Sequence, residues 1–332
     1  MTQTTGLTYL VTGVSGQDGF YSARRFLRKG AQVAGVSRQP LDGSKPHVAL
    51  LARNPRFRFI CIPDYTAARV RDLIREVKPH RVIHGAGFRD IPSSDLEVAQ
   101  CYFTNCELVE WLLSAIADFA PQARFLFISS AEIFGQTQAS ALHESSPISP
   151  QNHYAVSKVQ GMQQVARFRT ARGLFAVAAI CFNHDSYLSP ESHMVRLVPK
   201  KLVRLKAGDL DQLKFYNTGI RRDWSHAKDC VAAFDLMLEQ KTPGDFIVGS
   251  GISTTLREYI DLTCELLDIR DREALVFENR LDKDNYDRIA CPDKIKQELG
   301  WRPAISLRQL CREMIRWERA AAVIKRRKSI AQ

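Results

Sequence analysis

The sequence lacks the run of about 20 apolar residues that a membrane-spanning helix requires. Its first residues, MTQTTGLTYLVTG, also lack the basic and apolar regions of a secretion signal. The eight cysteines form no CxxC pair and no cluster with histidine, so neither a zinc site nor a disulfide framework is indicated. We therefore expect a cytoplasmic protein without a metal, whose cysteines are reduced core residues.

Acidic residues are the minority among the charged side chains. Lys and Arg outnumber Asp and Glu by 47 to 36, which gives the 332-residue chain a net charge of +11. Such an excess suits nucleic acid, a membrane surface or a phosphorylated substrate, and charge alone does not choose among them. The dense basic run at residues 325–328 ends the sequence, where a solvated tail is the ordinary interpretation. The 45% hydrophobic composition indicates a globular chain.

Glycine is concentrated in a loop near the start, between a short β-rich run and a helical pattern. Gly13 permits a tight turn, Gly16 lets the backbone approach a pyrophosphate, and Gly19 allows close helix packing. The GxxGxxG spacing also occurs in ordinary turns, but its strand, turn and helix context favours phosphate binding. We therefore predict a cofactor-binding loop that also includes Gln17 and Asp18.

Strand-like runs then alternate with helical segments through the first half of the chain. These runs lie at residues 32–36, 56–62, 81–84 and 124–128. The alternation predicts an α/β fold, a Rossmann-type doubly wound parallel sheet. We expect an NADP-binding domain over residues 1–180, to which segments around 225–250 return. A smaller mixed α/β substrate-binding region is expected over residues 181–332.

No carboxylate ends the second predicted strand, where Arg38 stands instead. An Asp or Glu there would bind a free ribose 2'-hydroxyl, whereas an arginine suits a 2'-phosphate, so NADP is preferred over NAD. Asp64 and Tyr65 follow the third strand, and Asp64 can accept hydrogen bonds from an adenine amino group as readily as it can cap a loop. Small residues, which leave room for a cofactor, follow the fourth strand at Gly85, Ala86 and Gly87.

A serine and a Tyr/Lys pair follow the fifth predicted strand. Ser130 ends that strand, and Tyr154 and Lys158 share one face of the next predicted helix. The lysine ammonium favours phenolate, so we expect the pKa of Tyr154 to be lowered towards the working pH. Alone, this spacing is typical of an amphipathic surface pair. After a glycine loop and a strand-end serine, the three residues resemble the catalytic triad of short-chain dehydrogenase/reductases.

Glu132 lies two residues beyond Ser130 and narrows the chemistry. Reductases and epimerases of this fold need the Tyr/Lys pair and a hydroxyl, whereas dehydration also needs a base for a carbon acid. A surface glutamate at a strand end is the alternative interpretation. Glu132 therefore favours a dehydratase and leaves a reductase or an epimerase of the same fold as the alternative.

Segments spread over nearly the whole chain resemble GDP-mannose 4,6-dehydratases. They lie at residues 16–19, 174–186, 222–229 and 299–303. The resemblance implies that Ser130 replaces the family's threonine, that Glu132 is the catalytic glutamate, and that Tyr154 and Lys158 serve both catalysis and cofactor binding. Related GDP-4-keto-6-deoxymannose reductases can also carry an acidic residue near Glu132.

The same resemblance implies further contacts in the second half of the chain. Asn183, Ser130 and Glu132 are expected to contact the substrate, and His184 to lie near the nicotinamide. Arg196 and Arg222 match basic residues near the nucleotide diphosphate, where a guanidinium pairs well with phosphate oxygens.

Two segments depart from the family pattern. The family continues with Pro-Arg-Arg-Gly, a segment that helps bind NADP and joins subunits into tetramers, where this chain has Tyr187-Leu188-Ser189-Pro190. Phe88-Arg89-Asp90 also replaces a polar Gln-Ser segment expected beside the sugar. We therefore expect a homo-oligomer, a dimer rather than a tetramer.

The resemblance implies that GDP-mannose is dehydrated to GDP-4-keto-6-deoxymannose with NADP retained throughout. One alternative is a 4-keto-sugar-nucleotide reductase or epimerase of the same fold, which should tolerate loss of Glu132. Another is a non-catalytic NADP sensor or RNA-binding protein, against which the intact Ser130, Tyr154 and Lys158 argue. The expected partner is a nucleotide sugar, and neither nucleic acid nor a membrane is expected.

Overall fold

The computed structural model describes residues 6–43, 45–87, 92–137, 141–279 and 287–330, with side chains described as far as residue 323. Two features singled out above lie outside this part of the chain. They are the Phe88-Arg89-Asp90 segment and the side chains of the basic run at residues 325–328.

The described strands are β1 (Thr8–Thr12), β2 (Gln32–Ser37), β3 (Phe57–Cys61), β4 (Arg81–His84), β5 (Arg124–Ser130), β6 (Ala176–Cys181), β7 (Asn183–Asp185), β8 (Leu213–Tyr216), β9 (Arg221–His226), β10 (Phe246–Val248), β11 (Ser253–Thr255) and β12 (Leu275–Glu278). The described α-helices are α1 (Gln17–Arg28), α2 (Pro46–Ala52), α3 (Ala67–Val77), α4 (Asp95–Tyr102), α5 (Leu108–Phe119), α6 (His153–Arg172), α7 (Met194–Lys206), α8 (Ala227–Glu239), α9 (Leu256–Leu267), α10 (Asp293–Leu299) and α11 (Leu307–Ile330). A π-helix (Phe103–Glu107) and a 3-10 helix (Ala131–Phe134) complete the helical segments.

Seven of these strands form one parallel sheet in the order β10-β6-β5-β4-β1-β2-β3. Side chains of a strand alternate between the two faces of its sheet. Accordingly Tyr9 packs in one apolar cluster with Phe26 and Phe234, while Leu10 packs in a second cluster with Phe125. Both faces are therefore buried under helices, and the predicted doubly wound Rossmann-type sheet is confirmed.

The order of the strands reverses between β1 and β4, which are neighbours in the sheet. A crevice opens at such a reversal, beyond the carboxyl ends of the strands. Three later elements return to this sheet: β10 pairs with β6, α8 packs against α1, and α10 packs against β10. The carboxyl ends of β1, β4 and β5 therefore supply the walls of the site.

The rest of the second half forms a smaller region beside that crevice. Its sheets have the orders β11-β9-β7 and β12-β8. A third apolar cluster holds it together, in which Trp224 lies against Tyr259 with ring centroids 5.5 Å apart and Met314 is fully buried. Trp224 is thus a packing residue. Because β7 directly follows β6, this region places its residues over the crevice.

The structure can be compared with two of the expectations above, that there is no membrane-spanning helix and that the cysteines are reduced core residues. Within the described ranges, no helix has the length and apolarity needed to cross a membrane. All eight cysteines lie in described residues and all are free. Cys61 is exposed at the end of β3, so the expectation that the cysteines are core residues is wrong at that position.

Candidate active site

The glycine loop after β1 has the tight turn that its sequence predicts. Gly13 has φ +68°, and a Cβ there would lie 2.5 Å from the carbonyl oxygen of Gly85. A Cβ at Gly19 would collide with the carbonyl of Gly13. Both positions therefore require glycine, the first for its backbone and the second for the packing of α1 against the loop.

The loop leads into the N-terminus of α1, which faces the crevice. Gly16 is its N-cap and provides no side-chain cap, so the first N–H groups of the helix are available to an anion. The cleft in front of them has a volume of about 830 Å³. The hydroxyl of Ser129, which lines the same cleft, is buried and has no hydrogen-bond partner among the described residues. This arrangement fits a dinucleotide with its pyrophosphate at the helix N-terminus.

Gln17 and Asp18 line the cleft, but their side chains hold the loop to the segment after β6. The amide nitrogen of Gln17 donates to the carbonyl of His184 (3.1 Å), and its oxygen accepts from Ser189 (2.8 Å). His184 Nε2 lies 3.1 Å from both carboxylate oxygens of Asp18. Although burial opposes a charged ring, the Asp18 carboxylate raises the pKa of His184 to about 9. The contact is therefore an ion pair at neutral pH.

The far end of the cleft is basic. Arg38 and Lys45 both line it, together with Tyr65. Burial raises the pKa of Tyr65 to about 12, against the opposing effect of Arg38, and its hydroxyl has no partner among the described residues. Asp64 does not line the cleft, although its neighbours Pro63 and Tyr65 do. Two cations therefore line this end of the cleft.

The turn of small residues after β4 forms the floor of the cleft at Gly85, Ala86 and Gly87. Thr12 fixes it, since its hydroxyl accepts from the backbone of Ala86 (3.2 Å) and lies 2.9 Å from His84 Nδ1. Burial lowers the pKa of His84 to about 4, so the ring is a neutral structural link. A Cβ at Gly87 would lie 3.2 Å from Lys158 Nζ. The turn therefore brings the cofactor-side backbone next to the lysine.

Ser130, Glu132, Tyr154 and Lys158 all line this one cleft. Ser130 ends β5 and caps the 3-10 helix, because its hydroxyl accepts from the backbone N–H of Glu132 (3.2 Å). Asn152 caps α6 in the same way, accepting from the N–H of Ala155 (2.8 Å). The start of α6 therefore has a fixed position, and Tyr154 and Lys158 are presented one turn apart.

The charges of the Tyr/Lys pair differ from the sequence-based expectation. Burial raises the pKa of Tyr154 above its ordinary value; a hydrogen bond with Ser130 opposes the shift and the charge of Glu132 adds to it. Burial also lowers the pKa of Lys158 to about 8. Its Nζ donates to the carbonyl of Ile128 (2.8 Å) and lies 5.7 Å from the centre of the Tyr154 ring. The sequence-based prediction that the pKa of Tyr154 is lowered is therefore wrong, because burial of the tyrosine raises it.

The carboxylate of Glu132 is paired with Arg288, whose Nη1 donates to its Oε1. The side chain of Arg288 is 5% exposed, whereas that of Glu132 is 28% exposed. Both residues line the cleft. The Glu132 carboxylate thus contacts a buried cation on one side and faces the cleft, where a substrate would lie, on the other.

The residues assigned to substrate in the second half of the chain divide into two groups. Asn183 and His184 line the cleft. Arg196 and Arg222 are not among the described residues that line it. The guanidinium of Arg196 is instead paired with Glu318 (3.1 Å) and donates to the carbonyl of Ser189 (2.7 Å), which accounts for its distance from the cleft. A diphosphate contact by either arginine stays a prediction.

Two residues that line the cleft, and one that packs beside it, were missed by sequence reasoning. Arg288 is one. Another is His193, whose Nδ1 lies 2.8 Å from the buried carboxylate of Asp185 and which lines the cleft. The third is Asn105 in the π-helix, whose amide donates to Ser157 (3.0 Å) beside the Tyr/Lys pair. Only the last had a signal in the sequence, a glycine within a helical pattern. Gly161 lies inside the unbroken helix α6, where a Cβ would strike the carbonyl of Asn105.

The sequence of the chain is similar to known proteins over most of its length. The model of the GDP-mannose 4,6 dehydratase family matches residues 10–314. The GDP-mannose 4,6-dehydratase of Vibrio cholerae is 28% identical over 344 residues, an alignment that covers 92% of this chain and 92% of that protein. The sequence similarity therefore includes both the glycine loop and the segment that carries Arg288.

Two solved structures are similar in fold. One is the dTDP-glucose 4,6-dehydratase of Bacillus anthracis in complex with NAD, with a TM-score of 0.82, 18% identity and coverage of 95% of this chain and 97% of that one. Another is RMD of Pseudomonas aeruginosa complexed with NADPH, with a TM-score of 0.76, 22% identity and coverage of 95% and 99%. At these identities the likeness concerns the fold alone.

Proposed function

Because the chain belongs to the GDP-mannose 4,6 dehydratase family, we propose that it converts GDP-mannose to GDP-4-keto-6-deoxymannose and water, with NADP as its cofactor. The observation that carries this proposal is the carboxylate of Glu132 in the same cleft as Tyr154 and Lys158. A reductase or an epimerase of this fold has no need of a carboxylate that removes a proton from carbon.

The NADP preference rests on the basic end of the cleft. Arg38 and Lys45 line it, and no acidic side chain is among the described lining residues at the ends of β2 and β3. A carboxylate there would repel a 2'-phosphate and bind a free ribose hydroxyl, whereas two cations have the opposite preference. Held by the glycine loop and by Arg38 and Lys45, NADP would supply reversible hydride transfer, from C4 of the sugar and later back to C6, with no net change of the cofactor.

Tyr154 takes the proton of the sugar 4-hydroxyl in the first step. The Ser130 hydroxyl donates a hydrogen bond to the developing 4-ketone. Lys158 remains largely charged at neutral pH, since its pKa is about 8, and its ammonium stabilises the phenolate. An oxidised cofactor held in this cleft would supply a further positive charge that favours the phenolate, whereas burial raises the pKa of Tyr154.

Glu132 acts in the second step. The 4-ketone makes the hydrogen on C5 acidic, and the carboxylate of Glu132 removes it while the electron pair passes towards the ketone oxygen. The C6 hydroxyl then leaves as water with the proton that Glu132 took from C5. The proton that Tyr154 took from the 4-hydroxyl restores the hydrogen on C5, which returns Tyr154 to the phenolate. Asn183 and Ser130 hold the sugar between these groups.

The oligomeric part of the proposal is a dimer. Its support is the segment Tyr187 to Pro190, which packs on its own chain. Tyr187 stacks on Trp317 with ring centroids 4.5 Å apart, and the Ser189 hydroxyl donates to Gln17 (2.8 Å). A segment bound in this way does not reach across to another subunit. Light scattering of the purified protein tests the dimer.

The test of the activity is a mass spectrum of the sugar nucleotide after incubation of the protein with GDP-mannose and NADP. The wild type should remove one water. Glu132→Gln should abolish water loss, while Glu110→Gln, which changes a glutamate paired with Arg167 outside the cleft, should not. An unchanged spectrum from a wild type with bound cofactor would instead favour a reductase or epimerase acting on a 4-keto sugar.

A further inference from the structure

Arg288 reaches the candidate base from a segment that is fixed on both sides. Its backbone N–H donates to the carbonyl of Arg221 (3.3 Å), and its carbonyl accepts from the N–H of Asp223 (3.2 Å). The next residue, Ile289, accepts at its carbonyl from the N–H of Leu142 (2.8 Å). The segment is therefore held between β9 and the chain at Leu142, and the guanidinium has little freedom to move.

A buried carboxylate strengthens this attachment. Asp223 is fully buried and accepts hydrogen bonds from the N–H groups of Ser250 (2.8 Å) and Gly251 (2.7 Å). It also accepts from the Ser250 hydroxyl (2.6 Å) and from the N–H of Ala290 (3.3 Å), two residues beyond Arg288. The backbone that carries Arg288 is thus tied to the core of the smaller region, whereas Glu132 lies on the Rossmann side of the cleft.

The charges around Glu132 indicate what its ion pair with Arg288 does in the reaction. The carboxylate opposes the phenolate that Tyr154 must become, since its charge raises the pKa of the tyrosine. A guanidinium on Oε1 offsets that charge and keeps its proton at all working pH values. A buried ion pair adds little to stability in comparison with apolar packing. The arrangement is therefore better explained by the reaction than by the fold.

We propose that Arg288 is a positioning residue for Glu132 in the dehydration step, an inference that rests on the proposed function. It fixes the carboxylate through Oε1 and leaves Oε2 to take the C5 proton as the C5–H bond breaks. The cation also favours return of Glu132 to the carboxylate, so the proton passes on to the departing C6 hydroxyl, which leaves as water. Arg288 itself neither gains nor loses a proton.

The test uses the holoenzyme with GDP-mannose and three variants. Arg288→Met removes the cation, Arg288→Lys keeps a charge without the planar fork, and Arg169→Met removes a half-buried ion pair with Asp245 far from the cleft. Because a charge-assisted contact to the base is lost, kcat of Arg288→Met should fall about 10- to 100-fold while KM stays within about twofold. Arg288→Lys should recover part of kcat, and Arg169→Met should match the wild type.

A double variant separates positioning from a structural role. Because Glu132→Gln abolishes water loss, the readout in that background is the first step. Arg288→Met should leave the amplitude of reduced nicotinamide formed by Glu132→Gln unchanged, since Arg288 acts through Glu132. The first step does not need Glu132, so absorbance of reduced nicotinamide should appear and persist when GDP-mannose is added to Arg288→Met. A structural defect would instead weaken both steps and the binding of substrate.

The outcomes that overturn the inference are distinct from failure of the proposed function. Unchanged kcat in Arg288→Met, or a raised KM with unchanged kcat, overturns the positioning role while the wild type still dehydrates GDP-mannose. If Arg288→Met does not fold, Arg288→Lys replaces it, with an expected fall in kcat at constant KM. A wild type that leaves GDP-mannose intact overturns the proposed function, and this inference with it.

Discussion

Replacement of His184 by glutamine removes the ion pair that joins the glycine loop to the second half of the chain. His184 Nε2 lies 3.1 Å from both oxygens of Asp18, and its side chain is 14% exposed. Burial opposes the charged ring, but the Asp18 carboxylate raises the pKa from 6.5 to about 9. One pH unit corresponds to about 1.36 kcal/mol, so the charged form contributes on the order of 3 kcal/mol to folding.

The sign of this effect sets its pH window. The folded protein holds the proton more tightly than the unfolded chain, so the stabilisation is complete below about pH 6.5 and is lost as the pH rises through 9. The Asp18 pKa is lowered by the same contact, against the effect of burial, so acid removes the contact from the other side. The ion pair should therefore be worth most near neutral and mildly acidic pH.

Urea unfolding of the cofactor-free protein between pH 6.5 and 9 measures this contribution. The free energy of unfolding of the wild type should exceed that of His184→Gln at pH 6.5, and this difference should shrink as the pH rises to 9. Groups such as Lys158, whose pKa of about 8 lies in the window, affect both proteins equally. His143→Gln is the control, since its ring contacts the Ser145 hydroxyl and no carboxylate in the described structure. The reasoning is refuted if His184→Gln keeps the pH dependence of the wild type.

Two further substitutions test the cofactor cleft. Arg38→Ala should raise the Kd for NADP about 10- to 100-fold and leave the Kd for NAD little changed, because it removes one charge-assisted phosphate contact. Calorimetry measures both Kd values, with Arg53→Ala outside the cleft as the control. An equal loss of affinity for both cofactors would contradict the prediction. Gly13→Ala should prevent cofactor binding and lower the melting temperature, since its Cβ would lie 2.5 Å from the Gly85 carbonyl at φ +68°; normal binding by this variant would contradict the account of the loop.

Motifs with short spacing were predictable from the sequence. The requirement for glycine at position 13 and the presentation of Tyr154 and Lys158 on one helix depend on residues a few positions apart, and the structure brings them to one cleft. Strand alternation also predicted the sheet, because parallel strands buried on both faces are continuously apolar. Local chemistry was thus enough for the fold and for the core of the site.

Contacts across long stretches of chain were not predictable. Glu132 and Arg288 are 156 residues apart, and Asp18 and His184 are 166 apart. No local pattern pairs such residues, and the same limit applies to the ion pair of Arg196 with Glu318, which are 122 residues apart. The pKa of Tyr154 was predicted with the wrong sign because the degree of burial depends on the folded structure.

The central claim is a dehydration in which hydride leaves C4 of the sugar and returns to C6 of the same molecule. GDP-mannose that carries deuterium at C4 tests it directly, with NADP and the wild-type protein. The proposed account predicts a product that has lost one water and carries the deuterium at C6, and it predicts no such product from Glu132→Gln. Unchanged substrate, or a product in which the deuterium has been lost to the medium, would contradict it.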